Sequence, residues 1–408
     1  MTKEDLRACG TELVEFHQRF SPCFGRIECQ GHAFHYLQGL LLAPKGKSVE
    51  PMALHFAEGN VIPMQRFLTR GVWDAAAVQR EVQAVAAERL APSAVGTPEG
   101  AVLIIDESAF AKKGTHSVGV RRQHNGRLGK VDNCQVGVFL AYATPAGTVL
   151  ADHRLYLPKD WADDPDRRKE TRGPEDVQFR TKPELAGDLV EAVRANGLLP
   201  YDWIVADELY GSNGDLKARL EDRGERYLME VPVSTTVWTK DPATEIPPSV
   251  SQGQPPSRPR RDSVCSVRDV AASLPESAWQ TLQLREGAQG PVMFEFAAVR
   301  VWQVRHRKPG PPSWLVIRRS LEAKPETKYY ISNADADVPL ATLAAVTGVR
   351  WRVEEFFEDG KGSLGMRDYQ ARSWTSWHRH MALVAVAHLF VTVTRIRLKK
   401  TSRPLRSR

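Results

Sequence analysis

The sequence predicts an α/β protein whose core is interrupted by a basic, β-rich insertion and preceded by a helical segment. Three observations predict this class. Apolar residues recur at helical spacing in residues 1–95, short apolar runs typical of strands begin at residue 101, and residues 239–262 are rich in proline. The expected divisions are a helical N-terminal domain (1–98), a first core part (99–238), a basic insertion with a Pro-rich link (239–325), a second core part (326–397) and a basic tail (398–408).

Two segments near the N-terminus carry the helical pattern. Leu6, Leu13 and Phe20 are spaced seven residues apart, and Phe16 falls beside them on the same helical stripe. The segment "DAAAVQREVQAVAAERL" repeats the pattern with three valines. The Pro- and Gly-containing segment "APSAVGTPEG" (91–100) then marks a boundary.

Strand patterns dominate the core. "AVLIID" and "YDWIVAD" are fully apolar runs that end in Asp106 and Asp207, as buried central strands do. Three further runs, separated by the turns "HNGRLG" and "PAG", predict an antiparallel meander close to the Asp106 strand. "KPELAGDLVEAVRANG" predicts a helix that stops at Gly197. Two helices, at roughly 339–363 and 374–395, are expected to finish the chain.

Charge and length narrow the classes of protein. A chain of 408 residues exceeds one compact domain, and its net charge of +7 favours anionic partners. Seven basic residues lie in 395–408, and without them the basic residues equal the 49 acidic ones. Residues 251–324 carry a local excess of about six positive charges. Nucleic-acid binding is therefore only weakly indicated by net charge.

Cysteine usage and hydropathy point to an intracellular protein. The five cysteines form no CxxC cluster, which argues against structural zinc and favours reduced thiols. The N-terminus lacks an apolar signal segment, and the run "MALVAVAHLFVTV" is shorter than a membrane span. We expect a soluble, cytoplasmic protein with no membrane partner.

The two strand-ending aspartates indicate a cation site. Ligands gather at the C-terminal ends of strands in α/β sheets, and Asp106 and Asp207 share that context. Together with a third acid they would form an all-oxygen site suited to Mg²⁺. The alternative is that each aspartate only ends a strand or caps a helix.

The third acid is expected in "TGVRWRVEEFFEDGKGSLG". On one continuous helix, Arg350, Glu354 and Lys361 share a narrow stripe, Glu355 faces solvent, and Glu358 is the rival on geometry. The adjoining buried stripe is predicted to contain Val346, Val353, Phe357 and Leu364. The alternative for Arg350 and Glu354 is an i,i+4 ion pair on a helix surface.

These residues resemble bacterial insertion-sequence transposases of the DDE type. One branch of that family carries a Y-x2-R-x3-E-x6-K signature, and Arg350, Glu354 and Lys361 match its R, E and K, whereas Thr347 stands at the tyrosine position. The segments "DESAFAKKGTHSVGV", "GKVDNCQVGVFLAY", "LYLPKDW" and "ADELYG" are also similar to one subgroup. The resemblance covers most of 30–395 and is weakest in 240–325.

The resemblance implies a ribonuclease H-like core with a mixed sheet and catalytic acids Asp106, Asp207 and Glu354. It implies phosphate contacts by Arg350 and Lys361, cleavage of the element's double-stranded terminal inverted repeats, strand transfer into target DNA, and a homodimer in the DNA complex. The helical N-terminal domain would then bind DNA. The three acids suit two Mg²⁺ ions, for which Mn²⁺ substitutes, in phosphodiester cleavage.

Further DNA contacts are predicted with their alternatives. The basic turn after the first acid contains Lys112, Lys113, Arg121, Arg122 and Lys130; it either grips phosphates or is a solvated hairpin. In the insertion, Trp302 and Arg305 belong to an aromatic and basic cluster that stacks an unpaired base or, alternatively, packs in a core.

The sequence assigns a structural role to two histidines and leaves two other functions open. His378 and His380 lack an acid or cysteine at ligand spacing and are expected to be structural. A domesticated, non-catalytic DNA-binding protein would keep the fold and lose cleavage. A metal-dependent nuclease would cleave without strand transfer.

Overall fold

A computed structural model describes residues 3–42, 46–57, 59, 61–126, 129–242, 264–287, 290–306 and 308–401. Most of the Pro-rich link (243–263) and the tail beyond residue 401 lie outside the described residues. The predicted mixed α/β class is confirmed. The chain divides into two compact units, a first unit of Met1–Val95, Asp106–Pro200 and Arg352–Arg408 and a second unit of Gly96–Ile105 and Tyr201–Trp351. The five predicted divisions of the chain stay a prediction.

The first unit begins with helices. They are α1 (Lys3–Phe20), α2 (Ile27–Leu42), α3 (Val49–Phe56), α4 (Val61–Arg70) and α5 (Ala75–Leu90). The predicted stripe of α1 buries Leu13 and Phe20, and Phe16 packs on the Phe20 ring at 5.1 Å. In α5 the valines at helical spacing are buried, and the Asp74 side chain caps the N-terminus by accepting from Ala76 N–H at 3.0 Å.

The strands of the first unit form the predicted meander. They are β1 (Val102–Ala111), β2 (Arg121–Asn125), β3 (Lys130–Thr144) and β4 (Gly147–Tyr156). β3 pairs antiparallel with β2 and β4, and β1 is its neighbour in the sheet. The helices α6 (Lys159–Ala162), α7 (Pro165–Glu170) and α8 (Lys182–Asn196) follow. A Thr181/Glu184 capping box begins α8, and left-handed Gly197 ends it as predicted.

The second unit begins with the segment that contains the first half of β1. Its elements are β5 (Trp203–Ala206), α9 (Glu208–Gly211), α10 (Gly214–Asp222), β6 (Tyr227–Val231), β7 (Thr236–Trp238), β8 (Val264–Ser266), α11 (Val267–Ser273), β9 (Gln280–Gly287), β10 (Gly290–Arg305), β11 (Lys308–Ser320), β12 (Thr327–Ser332) and α12 (Leu340–Thr347). The strand order is β1-β5-β6-β12-β11-β10-β7-β8, with β9 paired to β10. The β-rich segment predicted as an insertion is therefore hydrogen-bonded into the same sheet.

The C-terminal helices differ from the prediction at one point. The single helix expected at 339–363 is two, because α12 ends at Thr347, a turn follows, and α13 spans Trp351–Gly362. A Cβ atom at Gly348 would lie 2.8 Å from the Leu284 side chain, so this turn is closely packed.

The last helix, α14 (Trp374–Thr401), is longer than predicted. Its segment Trp374–Leu398 is long and apolar enough to cross a membrane, but 61% of that segment is buried inside the protein. It packs on β4, α2 and α5 of the first unit. A buried core helix has the same length and composition as a span, so this helix is weak evidence for a membrane.

Candidate active site

The first unit contains a cleft of about 690 Å³ between the second half of β1, from Asp106 onward, and α13. The buried residues Val102–Ile105 hold β1 in the core, and Asp106 is the first residue of the strand that is partly exposed. The residues that line the cleft are Asp106, Glu107, Ser108, Ala109, His124, Gly126, Val136, Glu354, Phe357, Glu358, Lys361, Gly362 and Arg367. Asp106 and Glu354 of the predicted set, and the rival Glu358, therefore line one cleft together with cationic side chains.

Asp106 and Glu107 have different partners. The Asp106 Oδ1 atom accepts a hydrogen bond from the backbone N–H of Glu107 at 2.7 Å. The Glu107 carboxylate accepts from the ammonium group of Lys182, at the start of α8, at 2.6 Å. Lys182, which does not line the cleft, therefore forms an ion pair with Glu107, the acid that follows Asp106.

The helix α13 directs one face at the cleft. Glu354 lies in its first turn, and Glu358 and Lys361 follow at one-turn intervals; all three line the cleft. Glu355 does not line it, and its charge acts on Arg395 of α14, where it contributes to raising the pKa of that guanidinium. The structure thus separates the two adjacent glutamates as the helix-face argument predicts.

Two details of that argument are wrong. Arg350 precedes α13 because the helix breaks at the Gly348 turn, so it does not share a helical stripe with Glu354. The second error concerns the aromatic pair, since Phe356 is buried against the His388 ring (centroids 4.8 Å apart) and Phe357 is only half-buried. Phe357 instead forms part of the cleft wall, with its ring 5.4 Å from that of Phe139.

Lys361 lies in an aromatic corner of the cleft. Its Nζ atom is 5.4 Å from the Phe110 ring and 5.5 Å from the Phe357 ring. Such a position keeps a point charge near the acids while its stem is packed on apolar surface.

Asp207 belongs to the second unit, where it ends β5. Within that unit β1 and β5 are parallel, and their register aligns Ile105 with Ala206. Asp106 and Asp207 are the residues that directly follow this pair along the chain. The Asp207 side chain also caps α9 by accepting from Leu209 N–H at 3.0 Å. The alternative given for Asp207, that it caps a helix, is therefore also observed.

Arg350 also belongs to the second unit. It is half-buried, and it lies near Tyr330, whose pKa is raised by burial and lowered in part by the Arg350 charge.

The predicted basic turn contains both exposed and engaged cations. Lys113, Arg122 and Lys130 are exposed, and Arg121 pairs with Asp160 at 3.0 Å. Lys112 instead donates to the Tyr369 carbonyl at 3.0 Å and lies 3.5 Å from that ring's centroid, and burial lowers its pKa to about 8.

In the second unit, Arg305 forms a bidentate ion pair with Glu221 and is only 13% exposed. Trp302 is half-buried in β10, with Trp238 and Pro312 as its strand neighbours. These contacts favour the packing alternative over base stacking for this pair, and their DNA role stays a prediction.

Sequence reasoning missed His124 and Arg367. His124 comes from the β2 hairpin and Arg367 from the segment after α13, and both line the cleft. His124 follows Arg122 by two residues on the same strand, so strand alternation was the available signal. No periodicity marks Arg367, because it lies outside a helix or strand.

The donor set of the cleft fits a hard divalent cation. Its acids supply only carboxylate oxygens, which Mg²⁺ prefers, and Lys361 offers no competing ligand atom. In the part of the chain that the structure describes, no three His, Cys, Asp or Glu side chains are grouped closely enough to hold a metal ion. The fit therefore rests on the chemistry of the donors.

The expected structural role of the two histidines is confirmed. The His380 Nδ1 atom lies 2.8 Å from the Tyr36 hydroxyl, and its Nε2 atom lies 3.1 Å from the Gly365 carbonyl oxygen. His378 bonds the Trp374 carbonyl through Nδ1 at 3.0 Å. His380 thus has a partner for each ring nitrogen, and both histidines are held by contacts inside the first unit.

Comparisons with known proteins agree with the resemblance. Residues 19–291 match the family model described as DDE superfamily endonuclease, a range that includes Asp106 and Asp207 and ends before α13. The chain is also 30% identical over 201 residues to a protein of Microchaete diplosiphon described as a probable transposase for insertion sequence element IS701. That match covers 49% of this chain and 48% of the relative, so the chain spans about half the length of the relative it matches. Because the family model covers well over half of the chain, the protein belongs to the DDE superfamily endonucleases.

Proposed function

We propose that this protein is a transposase that cleaves the ends of its element and joins them to target DNA, with Asp106, Asp207 and Glu354 as its catalytic carboxylates. The observation that carries the proposal is that Asp106 and Glu354 line one cleft in a member of an endonuclease family. The alignment of Ile105 with Ala206 in the second unit supports Asp207 as the third acid.

Each proposed site residue has its own role in the reaction. Asp106, Asp207 and Glu354 would hold two Mg²⁺ ions, or Mn²⁺ in their place, whose chemistry is to activate an attacking oxygen and stabilise a leaving oxygen. Lys361 supplies a positive charge beside the scissile phosphate, and Arg350 supplies a planar guanidinium for a neighbouring phosphate. Lys112, Lys113, Arg121, Arg122, Lys130, Trp302 and Arg305 are the proposed further DNA contacts.

The proposal extends to assembly and location. The helical N-terminal domain (1–98) binds the terminal inverted repeats, and residues 239–325 help to hold the end. Two copies of the chain pair the two ends as a homodimer on DNA. The protein would act in the bacterial cytoplasm, on the nucleoid.

The test is an assay on linear duplex DNA that carries the element's own ends, with a supercoiled target. The wild type should cut the ends with Mg²⁺ or Mn²⁺ and produce joined products, and chelation should stop both. Asp106→Asn and Asp207→Asn should bind the ends and cut nothing. Cutting without joining would make the protein a nuclease, and end binding without cutting by the wild type would make it a non-catalytic DNA-binding protein.

A further inference from the structure

The first unit carries a second groove, distinct from the catalytic cleft, of about 630 Å³. It lies among α4, the start of α3, the loop at 170–172 and the segment 370–373 that leads into α14. Four arginines line it, namely Arg66, Arg70, Arg172 and Arg372, with Glu50 and Glu170 as the acids. None of these residues is used in the catalytic proposal.

The arginines of this groove are available to a ligand. All four are exposed, and none of them is within ion-pair distance of a carboxylate among the residues that the structure describes. Glu170 is instead paired with His116, at 3.4 Å. The groove therefore presents four guanidinium groups against two carboxylates, an excess of positive charge.

Arg172 is held toward the groove by an unusual backbone. Its φ of 54° lies in the left-handed region, which costs free energy for a side chain with a Cβ atom. Its Nη1 atom donates to the Thr69 carbonyl at the end of α4, at 3.1 Å. This bond orients the guanidinium along the wall formed by α4.

Two chain segments connect this groove to the catalytic cleft. The segment after α13 lines the cleft at Arg367 and the groove at Arg372, and the chain leaving β1 lines the cleft at Ala109 and the groove at His116. Five residues span at most ~18 Å, so Arg372 lies within that distance of Arg367. Along one DNA strand ~18 Å corresponds to roughly five phosphates.

We propose that the groove binds the phosphate backbone of duplex DNA a few base pairs from the bond cut in the catalytic cleft, through Arg66, Arg70, Arg172 and Arg372. The inference rests on the proposed function, because it assumes a DNA substrate. Guanidinium groups bind phosphate oxygens in a bidentate way, and several of them spread along a groove match a regularly spaced polyanion. An acidic peptide is the competing occupant, and the salt dependence of DNA binding distinguishes it from duplex DNA.

The test measures the affinity of the protein for duplex DNA as a function of salt concentration, without divalent ions. The triple variant Arg66→Ala/Arg70→Ala/Arg372→Ala should flatten the slope of log affinity against log salt by ~0.9 for each lost phosphate contact, or ~2.7 in total. The matched control is Arg180→Ala/Arg194→Ala/Arg223→Ala, which removes three exposed arginines outside the groove and outside residues 1–98 and should leave the slope unchanged.

The outcomes separate this inference from the proposed function. A slope unchanged in the triple variant, while the wild type still cuts its ends, overturns the groove and leaves the transposase proposal standing; the groove then suits an acidic peptide. An equal loss in the control variant would show an effect of net charge alone and also overturns the groove. A wild type that fails to cut and to bind any duplex would overturn the proposed function itself.

Discussion

The ammonium group of Lys182 donates a 2.6 Å hydrogen bond to the carboxylate of Glu107, the residue that follows Asp106. The two side chains are 20% and 25% exposed, so the pair is largely shielded from water. It joins the start of α8 to the strand that carries the proposed catalytic aspartate. A cation that neutralises Glu107 lowers the negative charge beside Asp106.

Replacing Lys182 by methionine should destabilise the protein by about 1–3 kcal/mol, because the partly buried Glu107 carboxylate would lose the hydrogen bond and the charge of the ammonium group. Chemical denaturation measures the change, and Lys169→Met, at an exposed lysine of α7, is the matched control. Adding Glu107→Gln should restore part of the loss. Simple additivity of the two single changes would show that the ion pair does not contribute.

Glu354→Gln should reduce cleavage by at least ~10²-fold, since it removes a carboxylate charge from the cleft. Glu355→Gln should leave cleavage close to that of the wild type, because Glu355 does not line the cleft. Both variants should bind end DNA, as measured by gel shift. An inactive Glu355→Gln beside an active Glu354→Gln would contradict the orientation of α13.

Arg379 should be essential for the stability of the first unit. Its guanidinium is 7% exposed and donates to the carbonyls of Leu68 at 3.1 Å and Gly71 at 2.6 Å, among others near the end of α4. Arg379→Met should cost about 3 kcal/mol or more, since it leaves buried carbonyls without donors. Arg379→Lys should recover little of the lost stability, because one ammonium group cannot donate to all the carbonyls that the planar guanidinium reaches. A thermal melt as stable as the wild type would contradict this role.

Buried histidines should make the protein less stable in mild acid. Burial lowers the pKa of His388 to about 4, whereas the unfolded chain has an ordinary histidine pKa near ~6.5. The unfolded state therefore binds more protons between these values, and stability is fully present above the unfolded pKa and falls as pH decreases toward about 4. Each such histidine contributes a slope of up to ~1.4 kcal/mol per pH unit.

The variant His388→Phe tests this dependence, because it removes the titrating group in a pocket already lined by Phe356. Its free energy of unfolding should depend less on pH than that of the wild type, as measured by denaturant titration at several pH values. Equal pH slopes in the two proteins would show that His388 is not the source.

Several strands, turns and caps of this protein could be predicted from its sequence. The apolar runs before Asp106 and Asp207 predicted both strands, because a fully buried strand must be apolar on its two faces. Asp207 directly follows its strand as predicted, but the prediction that a strand ends at Asp106 is wrong, because β1 continues to Ala111. The meander of β2, β3 and β4 and the stop at Gly197 were likewise readable, since turns and caps are local. The family resemblance, carried by motifs, is confirmed by the family match.

Other features depended on contacts between distant parts of the chain. The break at Gly348 separates Arg350 from the helix that carries Glu354. It lies where the chain packs closely on Leu284, and it has no periodic signal in the sequence. The pairing of β11 with β12 joins the predicted insertion to the sheet, and only backbone hydrogen bonding reveals it.

By itself the sequence determined the strands, the helices and the candidate acids, because burial and local conformation impose patterns on neighbouring residues. Only the tertiary structure decided which charges share a surface. It brought Glu354 and Lys361 to the same cleft as Asp106, matched Lys182 to Glu107, and gathered Arg66 and Arg372 in one groove. Such groupings join residues far apart in sequence, where no local periodicity can record them.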